Sequence, residues 1–214
     1  MKVLVVGANG QIGRHLIKLL DEEQGFSVKA MLRQPDQADA YQGTDIEPVL
    51  ASLEGPVDTI AKAAKGCDAI VFTAGSGGHT GYDKTLLVDL DGAVKTVEAA
   101  EQAGVKRFVM VSAFQAHNRE NWAEEIKPYY VAKHYADKAL LQSSLNYTII
   151  RPGGLINEPG SGKVAVAENL ERGSIPREDV ARTIAASLKE ENTYQRSFDL
   201  IAGDSPIAEA LKKL

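Results

Sequence analysis

The chain has 214 residues, 44% of them hydrophobic, and carries 24 Lys+Arg against 29 Asp+Glu for a formal charge of −5. That length suits one domain whose core needs no metal or disulfide staple, and the composition excludes a natively disordered chain. Mild acidity with scattered basic residues gives no field for a phosphate backbone, so no nucleic-acid partner is expected.

Cys67 is the only cysteine, which leaves neither an intramolecular disulfide nor a cysteine-cluster zinc site and points to a reducing, cytoplasmic home. The apolar start, Val3 to Val6, is interrupted by Gly7, Asn9, Gln11, Arg14 and His15 too early for a secretory leader. No run approaches the roughly 18 apolar residues of a membrane span, so no membrane partner is expected.

Short apolar runs rich in Val, Ile and Phe predict strands at 2–6, 27–32, 47–50, 68–74, 106–112, 146–151 and 197–201. Between them lie segments of helical period. The first carries Ile12, His15, Leu16, Leu19 and Leu20 and stops near Gly25; others run 57–65, 83–103 up to Gly104, 128–144 with Pro128 in its first turn, 177–190 and 206–213. Runs such as Ala69-Ile70-Val71-Phe72 and Phe108-Val109-Met110-Val111 are apolar on both faces, as strands covered by helices must be. The expected fold is α/β: a doubly wound parallel sheet in a single domain over 1–214, with 152–214 as a small C-terminal extension that caps the substrate side. Pro152 to Gly162 reads as a Gly/Pro-rich loop.

Gly7, Gly10 and Gly13 form GxxGxxG directly after the first strand and directly before the first helix. One glycine permits the tight reversal, another lets a pyrophosphate approach the backbone, and the third allows close helix packing. The helix starting near Gln11-Ile12 offers free N–H groups and a positive dipole end to that charge. At the end of the second strand, where a dinucleotide fold usually has an acid for the ribose hydroxyls, stands Arg33. A guanidinium suits a doubly charged 2′-phosphate, so the expected cofactor is NADP in preference to NAD.

In this order, Val5 to Gly13, Leu32-Arg33, Asp68 to Gly75, Val105 to Ser112, Tyr129 to Lys133 and Ile150 to Leu155 resemble the atypical and extended short-chain dehydrogenase/reductases, especially small NAD(P)-binding proteins of the NAD-dependent epimerase/dehydratase type. The resemblance implies a Rossmann fold with the nicotinamide beside Ser112 and Tyr129. It assigns Gly7, Asn9, Gly10, Gln11, Ile12 and Gly13 to the pyrophosphate, Ser52 and Leu53 to the adenine, Thr73, Ala74 and Gly75 to the ribose wall, and Pro152, Gly153 and Leu155 to the nicotinamide amide. The family more often has Asp where Ser52 stands.

The same resemblance gives Tyr129 the acid/base role, Lys133 the nicotinamide ribose and the tuning of the phenol, and Ser112 the polarisation of the reacting oxygen. Four residues apart on a helix, Tyr129 and Lys133 share a face. A cation about 6 Å away at an effective dielectric near 20 contributes roughly 2.8 kcal/mol, which would bring a phenol from about 10 toward 8. The alternative is a packed stripe of Tyr129, Ala132, Ala136 and Leu140 with Lys133 at its solvated border. Phe114 stands where many catalytic members carry Ser or Thr, and the interval from Ser112 to Tyr129 is short.

His15, His79, His117 and His134 lack metal-ligand spacing, so no metal is expected. Asp89 is expected to steady a neighbouring loop, and loops 76–84, 113–127 and 154–174 to carry substrate recognition. The reading is an NADP-binding oxidoreductase or epimerase/dehydratase-like enzyme transferring hydride to or from a small carbonyl or hydroxyl compound. Its rival is a non-catalytic NADP sensor or assembly protein. A homodimer is compatible with either.

Overall fold

The computed structural model describes residues 1–214. Apolar runs form β1 (Lys2–Val6), β2 (Ser27–Leu32), β3 (Glu47–Leu50), β4 (Ala69–Phe72), β5 (Arg107–Val111) and β6 (Asn146–Pro152). They are followed by β7 (Gly154–Ile156), β8 (Lys163–Ala167), β9 (Ser174–Pro176), β10 (Arg196–Ala202) and β11 (Ser205–Pro206). Nine strands make one sheet in the order β11-β8-β10-β6-β5-β4-β1-β2-β3, and β7 pairs separately with β9. From β3 to β10 the pairs are parallel; β8 and β11 close the edge antiparallel.

Alternation along β1 explains the layers. Val3 and Val5 face a core shared with α1 (Gln11–Glu22), while Leu4 and Val6 face one shared with α2 (Val57–Ala64). The first core also takes α6 (Arg177–Lys189) and α7 (Ile207–Leu211); the second takes α4 (Gly92–Ala103) and α5 (Lys127–Leu141). Helices therefore cover both faces, as the unbroken apolar strands require. The chain is a single-domain Rossmann fold.

Several boundaries and elements depart from the sequence expectation. The buried face of α1 is Ile12, Gly13, Leu16, Ile17 and Leu20, and His15 is exposed, because the true 3.6-residue stripe runs through Ile17. The short strands β7 and β8 lie in the part read as loop, β9 and β11 lie at the edges of the expected C-terminal helices, and a 3₁₀ turn follows β2 at Pro35–Tyr41. Elements of two to five residues carry too few periods to register.

The helix expected over 83–103 is interrupted. After a single turn, α3 (Tyr82–Lys84), residues Thr85–Asp91 wind as a π-helix before α4 resumes a regular path to Gly104, whose left-handed φ of 73° ends it. Within that wider stretch Thr85 and Asp89 are buried, whereas Leu86 and Leu87 face outward. A π segment that turns an acid inward and leucines outward is a feature found most often at functional sites.

Candidate nucleotide-binding and active site

The loop between β1 and α1 is closed by Gly10 N–H donating to Gly7 O at 2.9 Å. Gly7 has φ of +89°, and a Cβ there would stand 2.5 Å from Ala74 N; a Cβ on Gly13 would overlap Gly7 O. Both positions exclude any side chain. Helix α1 has no side-chain cap and no acid in its first turn, so its leading N–H groups and positive dipole end are free for an anion. These residues fit a dinucleotide pyrophosphate. Asn9 accepts from Arg14 Nε at 3.2 Å and Nη2 at 2.6 Å, which brings a guanidinium beside the loop that the sequence had not flagged.

Thr73 N–H and Thr73 Oγ1 both donate to Val6 O, at 2.8 and 3.0 Å, so the end of β4 is stitched to the glycine turn and Ala74 lies against Gly7. Asp89 Oδ2 accepts from Ser76 N–H at 3.0 Å and steadies the following loop beside Gly75. At the other side, Arg33 is exposed and makes no ion pair; its backbone N–H donates to Gln37 Oε1. Ser52 Oγ accepts from Glu54 N–H, and Leu53 is half-buried against Gly92 of α4.

At the carboxyl end of β5, Ser112 is 3% exposed and its Oγ has no hydrogen-bond partner. A buried hydroxyl left unpaired is costly unless something else completes it. Lys133 is 2% exposed and donates from Nζ to Val111 O at 2.8 Å, one residue before Ser112. That overturns the solvated Lys133 of the packed-stripe alternative, whose apolar members Ala132, Ala136 and Leu140 are themselves buried. Tyr130 and His134 go elsewhere: Tyr130 stacks on Trp122, and His134 Nδ1 bonds to Ala116 O at 2.8 Å.

Lys133 belongs to a buried row of alternating charge. Asp89 and Asp137 both favour its charged form, yet burial dominates and pushes its pKa below the ordinary lysine value. Asp137 holds Arg151 Nε at 3.0 Å with both side chains almost wholly buried, and Arg151 in turn stands across from Asp199 in the β6–β10 register. Asp199, fully buried, accepts Gln115 N–H at 3.1 Å and Leu170 N–H at 3.2 Å. Burial raises its carboxyl pKa, opposed by those two amides.

The expectation for the phenol is reversed. Burial pushes the Tyr129 pKa up, and Asp89, Tyr130 and Asp137 push it the same way. Burial of the phenol is the main cause, and Lys133, whose Nζ donates to Val111 O, does not offset it. Tyr129 is a protonated phenol at neutral pH.

Pro152 ends β6, and Gly153 N–H donates to Leu200 O at 2.9 Å; Gly153 also packs so closely on Gly173 O that no Cβ fits. Leu155 lies half-buried in β7. Sequence reasoning missed Asp137, Arg151 and Asp199, since partners separated by 14 and 48 positions leave no spacing to read. Only Lys133 and Asp137, four apart on α5, left a local trace.

No helix is long and apolar enough to cross a membrane. A family model described as NAD(P)H-binding matches residues 7–191. The chain is 65% identical over 214 residues, the full length of both, to the uncharacterized sugar epimerase YhfK of Bacillus subtilis. It superposes at a TM-score of 0.93 on a Bacillus halodurans protein provisionally named an NAD-dependent epimerase/dehydratase, with 42% identity and full coverage of both chains. The oxidoreductase ylbE of Lactococcus lactis matches at a TM-score of 0.91 and 33% identity, over 100% of this chain and 96% of that one. The glycine cradle and these relatives agree: the chain belongs to the NAD(P)H-binding family of Rossmann proteins, with epimerase- and oxidoreductase-named members at its side.

Proposed function

We propose that the protein is an NADP-dependent oxidoreductase or epimerase/dehydratase-like enzyme acting on a small carbonyl or hydroxyl compound, with 152–214 capping the substrate side. The unpaired, buried Ser112 hydroxyl carries this reading, because a substrate oxygen is the partner it lacks. When bound, the nicotinamide supplies or accepts the hydride. The Gly7 to Gly13 turn binds the pyrophosphate, and Arg33, free of any ion pair, takes the 2′-phosphate. Ser52 and Leu53 border the adenine, Thr73, Ala74 and Gly75 wall the ribose, and Pro152, Gly153 and Leu155 border the amide.

Ser112 polarises the reacting oxygen, and Tyr129 gives it a proton. A phenol held protonated by its surroundings is a general acid ready for the reductive direction without an activating cation. Lys133 binds the nicotinamide ribose and exchanges its Val111 carbonyl for that contact.

Titration with NADP and NAD, followed by turnover of an aldehyde and ketone panel read as NADPH absorbance, tests the reading. Arg33→Ala is expected to weaken NADP about tenfold or more and leave NAD unchanged. Equal loss for both overturns the NADP assignment. Tyr129→Phe is expected to abolish turnover and spare cofactor binding. In the wild type the reductive rate should stay flat through about pH 8, where a lysine-lowered phenol would titrate.

A further inference from the structure

Beside the Ser112 end of β5 lies a cavity of about 240 Å³ lined by Phe114, Gln115, Asn121, Leu170, Glu171 and Arg172. Two segments far apart in sequence, 114–121 and 169–172, make its walls and are tied to one another. Gln115 Nε2 donates to Leu170 O at 2.8 Å, Asn121 Nδ2 donates to Gln115 Oε1, Arg172 Nη2 donates to Asn121 O at 2.9 Å, and His117 Nε2 bonds Asn169 Oδ1 at 2.9 Å. Beneath them, the buried carboxylate of Asp199 receives one backbone amide from each wall. Gln115 is held with φ at +51°, a left-handed conformation that a side-chain-bearing residue rarely adopts and that this network pins.

The amide groups of the two walls bond to one another and to backbone carbonyls, which leaves two exposed charged side chains at the cavity, Arg172 and Glu171. Arg172 uses a single Nη2 for Asn121 O and makes no ion pair, so the rest of its planar fork is unclaimed. Glu171, its neighbour, lines the same cavity without bridging to it. Hydrogen bonds to charged groups are stronger than neutral ones, and a guanidinium fork matches the two oxygens of a carboxylate.

We propose that this cavity receives a carboxylate-bearing end of the substrate, with Arg172 as its recognition group and Gln115, Asn121 and Asp199 as residues that position the walls. The inference rests on the site reading given above and adds to it a substrate class: carbonyl or hydroxyl compounds that carry an anionic group. Arg172 sets specificity and takes no part in proton or hydride movement.

The test is calorimetric. NADP is titrated first; then the NADP-saturated protein is titrated with benzoate, benzamide and benzylamine, three probes of one size that differ in charge. Trp122, the sole tryptophan, packs between Tyr130 and His134 beside one wall and gives a local fluorescence signal. Benzoate is expected to bind about tenfold or more tightly than benzamide, Arg172→Gln to erase that preference, and Arg172→Lys to restore part of it. NADP affinity should be the same in all three proteins. Equal binding of benzoate and benzamide, a preference that survives Arg172→Gln, or no binding of either at millimolar concentration overturns the proposal. Tighter binding of benzylamine overturns it in favour of Glu171. A wild-type protein that takes up no NADP in the first titration sinks the underlying site reading, and this proposal with it.

Discussion

The two halves of the candidate site are made of different materials. Around the expected pyrophosphate, the chain presents backbone: three glycines, uncapped helix amides and the Thr73 stitch to Val6, with no ionised side chain buried in the loop. Around the reacting groups it buries Asp89, Lys133, Asp137, Arg151 and Asp199 in a row. Backbone amides aimed at an anion need no desolvated charge of their own. The proposed role of the second half, a proton held at a phenol and an ammonium at a ribose, does need charge, and that charge must then be neutralised by neighbours. Binding a fixed anion can be done with geometry; proton chemistry requires electrostatics.

The comparison is broken most severely at Asp137. Asp137→Ala leaves Arg151, 2% exposed, as an unpaired buried cation, and removal of one partner of a buried pair costs about 3–5 kcal/mol. Urea unfolding should show that loss, and Asp137→Asn, which retains an acceptor for Arg151 Nε, should lose clearly less. If Asp137→Ala unfolds at the wild-type urea concentration, the row of charges is not a unit of stability.

In the backbone half the corresponding change is Gly7→Ala. It places a side chain at φ +89° and 2.5 Å from Ala74 N, so either β4 shifts or the turn opens. The left-handed penalty alone is about 1–2 kcal/mol, and the overlap adds to it. Thermal unfolding should register a smaller loss than Asp137→Ala, while NADP binding, read by calorimetry, should disappear. That split, modest stability and total binding loss, is what a site made of geometry predicts.

The same contrast explains what could be read in advance. The glycine turn, the positions of the first six strands and the Tyr129/Lys133 spacing all depend on residues within a few positions of one another, and each was visible in the sequence. The place of Arg33 directly after β2 was legible for the same reason. The sign of the shift at Tyr129 was not, because it is set first by the burial of the phenol in the folded chain and then by Asp89, forty positions away on a π-helical stretch whose pattern reads as ordinary helix. Nor were β8 and β9, which are short and depend on β10 and β7 for their pairing. Asp199 looked like a strand residue, and only the approach of two loops shows it as their common acceptor.

The finest test of the charged half is Lys133→Met. At neutral pH the variant loses the Lys133 to Val111 hydrogen bond but also the desolvated ammonium, and the two oppose, so the net change should stay within about 1 kcal/mol, or about 2–4 °C in Tm for a chain of this size. The pH profile is the sharper readout. Because burial lowers the folded-state pKa of Lys133 below the ordinary lysine value of 10.5, there is an alkaline window in which the unfolded lysine binds a proton that the native one has released. Stability contributed by this residue therefore rises with pH from the lowered value up to 10.5. Lys133→Met should remove that rise and leave the acidic limb of the profile unchanged, while a wild type without any rise would mean that Asp89 and Asp137 fully offset the burial of the ammonium. Either slope measures how far a row of alternating charges repairs the desolvation that the glycine turn never incurs.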